Sequence, residues 1–240
     1  MLPVFLVDSL PGSGEVLLDG DEAHHAISVS RVRIGEHLTF TDGNGARAEV
    51  EVIEITKKTL NARIVLREDI ADSEVSISVL QALTKGDRAR ETVELLTEAG
   101  VNHILPWNAA RSIGQWKDDR ESLEKWQSWA REATKQSRRS WIPKVERLHS
   151  LGEAIRVFSQ FDLVLLFHEG SQEKLSSLLR DQHPKRVLII IGPEGGVTDE
   201  ETEKFVTAGA KIASMGRPIF RSAHAGAAAL AAVQTGLGIW

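Results

Sequence analysis

The sequence predicts an α/β protein: a parallel β-sheet covered by helices, preceded by a small module of short strands. Three observations carry this reading. From about residue 75 onward, apolar strand-like runs alternate with helix-length amphipathic segments, the pattern of a parallel sheet built from crossover units. Residues 1 to about 70 instead read as short strands joined by tight turns, as in a small barrel or sandwich. Finally, the β-branched run ending at Ile189-Ile190-Ile191 breaks abruptly into Gly192-Pro193-Glu194-Gly195-Gly196, and Thr198, Asp199 and the following glutamates then supply helix-start chemistry.

The elements follow in order. Residues 15–18 form a strand, and Asp19-Gly20-Asp21-Glu22 opens one or two helical turns over 23–29. The strand 37–41, the turn Asp42-Gly43-Asn44-Gly45 and the alternating segment 46–53 make a hairpin, with a further strand at 61–66. The grammar changes near residues 70–74. Strands are expected at 75–83, 101–107, 162–167, 187–191 and 211–214, and helices at 87–99, 121–137, 151–158, 174–179, 200–208 and 222–236. Two domains result, 1–72 and 73–240.

Composition narrows the function. A chain of 240 residues with 42% hydrophobic content has enough apolar material for two cores, and its net charge of −5 argues against coating nucleic acid by bulk charge. The absence of cysteine excludes disulfides, thiolate metal sites and cysteine nucleophiles. The first eight residues lack a basic start and a cleavage site, so a signal peptide is not expected and a cytoplasmic location is. The final helix, free of Asp, Glu, Lys and Arg, is too short and too rich in small residues for a membrane span. Burial in the core or against a second subunit, in a homodimer, suits it better.

Three strand ends carry unusual residues: Leu166-Phe167-His168-Glu169-Gly170, the Gly192 to Gly196 loop, and Met215-Gly216-Arg217-Pro218-Ile219-Phe220-Arg221-Ser222. Ligands of open parallel sheets bind at the carboxyl ends of strands, so these loops are expected to line one pocket. Gly-Pro and Gly-Gly are equally ordinary turn punctuation, and the spacing matches neither phosphate-loop nor dinucleotide fingerprints. Glu194 argues against an anionic ligand there and for a neutral or cationic one. His168-Glu169 is a poor metal motif, and no metal is expected. Arg221, at the start of the last helix, is either a salt-bridge residue or a group that binds phosphate or stabilises developing negative charge. Arg31 and Arg33 have the spacing of one strand face and form a modest candidate contact for RNA phosphates or base edges, while nearby His24 and His25 read equally as plain surface residues. Arg138 and Arg139 belong to a basic cluster that reads either as a solvated helix face or as a phosphate-contacting patch.

Taken in order, His24-His25 with Val29-x-Arg31 and Gly35, Lys85-Gly86-Asp87-Arg88, Thr97-Glu98-x-Gly100-Val101, Glu132-Ala133-x-x-Gln136-Ser137-x-Arg139 with Pro143, Ile191 to Gly196 and Met215-Gly216 to Arg221 resemble the RsmE-type 16S rRNA uridine N3-methyltransferases of the SPOUT class. The resemblance runs from about residue 3 to the C-terminus. It implies a PUA-like β-barrel for RNA binding over 1–72 and, over 73–240, a SPOUT-type parallel sheet with a C-terminal trefoil knot. It further implies S-adenosyl-L-methionine as methyl donor, 16S rRNA within the 30S subunit as substrate, and a homodimer. Transferred by position, the donor site comprises Leu166, Phe167, His168, Glu169, Ile191, Gly192, Pro193, Glu194, Gly195, Gly196, Met215, Gly216, Ile219, Phe220 and Ser222. Arg221 is the catalytic candidate, and His25, Arg31, Arg33, Lys85, Arg88, Arg138 and Arg139 are the RNA-binding candidates. The chain departs from the family where many members carry a Thr-Glu-Thr-Ala run, here Ser222-Ala223-His224-Ala225; the hydroxyl is kept and the glutamate is lost. A rival from another class is a nucleotide- or phosphate-binding hydrolase, and a second is a catalytically silent RNA-binding protein of the same fold.

Overall fold

The computed structural model describes residues 2–86 and 88–240. The chain divides into two compact units: Met1–Asp72 with Thr134–Ile142, and Ser73–Ala133 with Pro143–Trp240.

The first unit holds β1 (Val4–Leu6), β2 (Glu15–Leu18), the short helix α1 (Gly20–His24) running into a π-helical turn at His25–Val29, and then β3 (His37–Thr41), β4 (Ala46–Ile55) and β5 (Leu60–Asp69). The strands form one sheet in the order β1-β3-β4-β5-β2, antiparallel except for β1 with β3. Ala46, Ala48, Val50 and Val52 face inward while the residues between them stay partly exposed, the two-residue period of a half-buried strand. Register shifts in the β4–β5 pairing at Glu49/Val50 and Val52/Glu54 strengthen the local bend, letting the sheet wrap a core that includes Phe5, Phe40, Val50 and Leu60.

Segment 134–142 completes this unit through contacts distant in sequence. The backbone N–H of Ile142 donates to Gly43 O at 2.9 Å, that of Gly45 to Ser140 O at 2.8 Å, and the Trp141 indole to Ile70 O at 2.9 Å. Lys135 and Glu22, both nearly enclosed, pair at 2.7 Å, while the second Glu22 oxygen accepts the Leu6 N–H at 3.2 Å.

The second unit is a six-stranded, all-parallel sheet in the order β11-β9-β10-β6-β7-β8. Its elements are β6 (Ser76–Ala82), α2 (Arg88–Glu98), β7 (His103–Trp107), α3 (Asp119–Gln136, whose last turn counts with the first unit), β8 (Lys144–Val145), α4 (Leu151–Arg156), β9 (Leu163–Phe167), α5 (Leu175–Leu179), β10 (Arg186–Ile191), α6 (Asp199–Thr207), β11 (Lys211–Ala213) and α7 (Ser222–Gly236). The residue placed at the start of the helix expected over 87–99, Asp87, lies outside the described residues.

Alternation along the buried strands explains why helices cover both faces. In β10, Val187, Ile189 and Ile191 join a core with Leu96 of α2 and Leu230 and Val233 of α7, whereas Leu188 and Ile190 join one with Ala154 of α4 and Phe205 of α6. The charge-free α7 packs on α2, α5, β6 and β10, so its small residues serve close helix contact within this unit. Among the described residues no helix is long and apolar enough to cross a membrane.

The strand expected to carry Arg31 and Arg33 does not form. Residues 31–36 are a loop, with Arg31 at a φ of 54°. Local capping wins over strand pairing here: the Val32 N–H donates to Ala26 O at 3.1 Å, and the Arg33 N–H to the Glu36 carboxylate at 3.2 Å.

Candidate active site

Register places the three unusual strand ends side by side. Phe167, the last residue of β9, is paired with Ile191 on one side and Ala213 on the other, and Ile191 is paired in turn with Gln81 of β6. The loops after β9, β10 and β11 therefore leave the sheet at one level, and they enclose a cleft of about 270 Å³.

Of the expected donor-site residues, Phe167, His168, Glu169, Ile191, Gly192, Pro193, Glu194, Gly196, Met215, Gly216, Ile219, Phe220 and Ser222 line this cleft, and Arg221 lines it with them. Leu166 does not. One residue back from Phe167, it points to the opposite face of the sheet and is fully buried beside Ile190. Gly195 also stands outside the lining, backed against Arg111, whose guanidinium donates to the Gly195 carbonyl at 3.1 Å. His168 is held locally: its ring Nδ1 accepts the Gly170 N–H at 3.1 Å, and its own N–H donates to Ala213 O at 3.0 Å.

The loop conformation is over-determined by its neighbours. A Cβ on Gly192 would lie 2.6 Å from Val197 Cγ2, so any larger residue at this tight return would have to displace the buried Val197 side chain. Ser222 Oγ donates to the Gly192 carbonyl at 2.6 Å and accepts from Gln81 Nε2 at 3.3 Å, tying the first residue of α7 to both β10 and β6. The Trp107 indole donates to Ile191 O at 3.2 Å. At the far end of the loop, Thr198 and Glu201 form a capping box for α6, and the Glu201 carboxylate also accepts the Ala110 N–H at 2.7 Å.

The cleft is mixed in character. Phe167, Ile191, Pro193, Val197, Met215, Ile219 and Phe220 give it apolar walls, with Ile219 and Phe220 substantially exposed. Glu194 supplies a carboxylate, one oxygen of which accepts the Lys85 N–H at 3.3 Å. Arg221 is the N-cap residue of α7 and supplies a guanidinium. His224 is not part of the lining; it points away to Glu91 of α2, 3.0 Å distant.

The remaining candidates fall in one unit or the other. His25 packs edge-on to Phe5 at 5.9 Å, Arg31 and Arg33 are exposed on either side of buried Val32, and Arg138 lines a separate polar hollow with Arg47, Glu49 and Glu68. Burial lowers the Arg139 guanidinium to about 10, against the opposing charge of Asp72. In the second unit, exposed Lys85 and half-buried Arg88 bracket the start of α2. Gln81, Trp107, Arg111 and Glu201, which hold the site loops, were not among the expected residues. Only Arg111 had a readable signal, since Asn108 to Ser112 also follows the carboxyl end of a strand.

Comparison with known proteins agrees with this architecture. A family model described as an RNA methyltransferase domain matches residues 71–234, and one described as an RNA methyltransferase PUA domain matches 18–65. The ribosomal RNA small subunit methyltransferase E of Mycobacterium bovis is 35% identical over 237 residues, covering 96% of this chain and 90% of the relative. This chain belongs to the ribosomal RNA small subunit methyltransferase E family. The Bacillus subtilis member is 28% identical over 225 residues, covering 90% of this chain and 88% of its own. Among solved structures, the family member of Neisseria gonorrhoeae bound to S-adenosyl methionine superimposes with a TM-score of 0.86 at 27% identity, covering 98% of both chains. A putative methyltransferase of Legionella pneumophila, also in complex with that cofactor, gives 0.86 at 26% identity, again over 98% of both chains. The fold is thus a mixed α/β methyltransferase domain with an N-terminal PUA-like domain.

Proposed function

We propose that this protein transfers a methyl group from S-adenosyl-L-methionine to N3 of a specific uridine of 16S rRNA in the 30S subunit, acting as a cytoplasmic homodimer. The PUA-like domain is assigned to residues 1–72, which segment 134–142 completes, and the methyltransferase domain to the rest of 73–240, with the loops after β9, β10 and β11 as parts of a trefoil knot. The observation that carries the reading is the convergence of those three loops on one cleft, in a chain whose relatives are named rRNA methyltransferases.

The residues present suit the donor. Apolar walls fit an adenosine, strand-end carbonyls fit its polar edges, and the Glu194 carboxylate suits a cationic sulfonium better than a phosphate. When bound, the donor supplies an electrophilic methyl group. Phe167, Ile191, Met215 and Phe220 would exclude water from it, and the loop fixed by Ser222 and Arg111 would orient it.

Uracil N3 is a poor nucleophile until its proton leaves, and negative charge then spreads onto O2 and O4. The Arg221 guanidinium, at the mouth of the cleft, would stabilise that charge, with water taking the proton. His224, engaged with Glu91, is not assigned as base. N3 lies on the pairing edge, so the target must be unpaired or extruded, with Arg31, Arg33 and Arg138 as contacts for the surrounding RNA, whereas Arg139, whose charge burial disfavours, is better placed to support the fold of its unit.

Two measurements test the reading. Nucleoside mass spectrometry of rRNA from cells lacking this protein is expected to show loss of 3-methyluridine; its persistence would refute the assignment. Arg221→Ala is expected to keep donor binding within about threefold while lowering methyl transfer to 30S subunits by about a hundredfold or more. Normal turnover by this variant would remove Arg221 from its role.

A further inference from the structure

A second cleft lies in the methyltransferase domain beside the first. It encloses about 380 Å³ between the loop following β7 and the start of α3, in the size range of small-molecule sites. Trp116 and Trp126 meet edge to face at 5.6 Å, with Trp126 buried as the floor and Trp129 completing the wall. Three tryptophans around one opening make an aromatic surface suited to stacking a planar ring.

Two polar observations separate this cleft from a plain gap in the core. Among the described residues, neither the solvent-shielded Trp116 indole N–H nor the Ser112 hydroxyl on the same loop has a hydrogen-bond partner. A shielded donor without an acceptor is costly, so a ligand that turns the Trp116 ring far enough to bring its N–H to a carbonyl supplies a hydrogen bond the free protein lacks. The charges at the rim are also unequal in availability. Glu121 is engaged by Lys125 at 2.6 Å and Asp118 caps α3 by accepting the Glu121 N–H at 2.8 Å, but Lys117 has no ion-pair partner among the described residues. An aromatic wall, a donor awaiting a carbonyl and an unengaged ammonium together match a nucleobase followed by its phosphate.

The cleft is joined to the donor site by a shared wall. Thr84 and Gly86 line the aromatic cleft, while the N–H of Lys85 between them donates to Glu194, which lines the donor cleft. A ring held against Trp116 is therefore next to the position of methyl transfer and not in it. We infer that the Trp116–Trp129 cleft binds an unstacked nucleobase of the RNA substrate neighbouring the methylated one, with Lys117 on its phosphate. This subsite rests on the methyltransferase reading above, and it holds the RNA opened at the reacting base.

Trp116→Ala and Trp116→Phe test it, using 30S subunits from cells lacking the protein and a labelled methyl donor. For Trp116→Ala the KM for subunits is expected to rise about tenfold, with kcat within twofold and donor affinity by calorimetry unchanged. Trp116→Phe keeps the stacking face and loses the N–H, so its KM is expected to fall between the two. In parallel, tryptophan fluorescence is titrated with an RNA fragment spanning the target, intact or abasic at single flanking positions. One abasic position should erase the difference between the wild type and Trp116→Ala. Equal KM values, no such position, or loss of donor binding in Trp116→Ala would each overturn the subsite. If the wild type itself transfers no methyl group, the functional reading fails instead, and the titration still decides whether the cleft binds a base.

Discussion

Ser222→Ala removes one oxygen atom from the site and tests how its loop is held. The hydroxyl is buried, donates at 2.6 Å to Gly192 O and accepts at 3.3 Å from Gln81 Nε2. Gln81 keeps its bond to Ala82 O at 3.1 Å after the substitution, so the main loss is the short bond to the Gly192 carbonyl. A buried bond of this kind is worth about 1–2 kcal/mol, including the acceptor left without its donor. For a chain of this size that corresponds to a fall in melting temperature of about 2–8 °C. If the freed loop leaves its binding geometry, donor affinity falls by up to the same free energy, about 5- to 30-fold. Thermal unfolding of the free protein and calorimetric titration with S-adenosyl-L-methionine measure the two effects. Ser222→Thr keeps the hydroxyl and is expected to keep donor affinity. A Ser222→Ala protein with unchanged melting temperature and unchanged affinity would refute the claim that this contact organises the loop.

Gly114→Ala would place a Cβ 2.2 Å from the Thr84 carbonyl oxygen, a backbone atom, so the loop after β7 must move; a loss of about 1–3 kcal/mol in urea unfolding is expected, and a neutral result would show the approach to be relaxed. Glu153, bonded to the Ser150 backbone and hydroxyl and to Arg147, has its carboxyl held down to about 2 from the ordinary 4.5. Its contribution is therefore complete above about pH 4.5 and disappears as pH falls through about 2. The stability difference between wild type and Glu153→Gln should shrink over that interval in denaturant titrations, and a difference independent of pH would contradict the capping role.

Local pattern made much of this molecule readable. The two-residue period of β4, the turn chemistry at Asp42 to Gly45 and the apolar run of β10 each dictate their own conformation, and the rule that ligands collect at strand ends pointed to Phe167, Ile191 and Met215. What stayed hidden depends on partners far away in the chain. Gln81 reads as an ordinary strand residue until register sets it beside Ile191, and Glu201 reads as half of a capping box until its carboxylate also meets Ala110. Arg31 and Arg33 misled because their spacing is that of a strand, while a short helix just before them and Glu36 just after them fix the backbone differently. Leu166 was one pleat away from the cleft, a distinction that sequence transfer by loop cannot make.

The return of residues 134–142 to the first unit has an implication for modularity. The family-model matches fall at 18–65 and 71–234, yet the N-terminal unit draws the Trp141 bond to Ile70, the Ile142 backbone pairing and the Lys135–Glu22 pair from inside the second of these stretches. The PUA-like unit is therefore discontinuous in sequence, and no single cut separates it whole from the rest of the chain. A cut after Asp72 would leave Gly43, Gly45 and Ile70 without the backbone and indole partners that residues 140–142 supply, so the N-terminal unit is complete only in the longer chain.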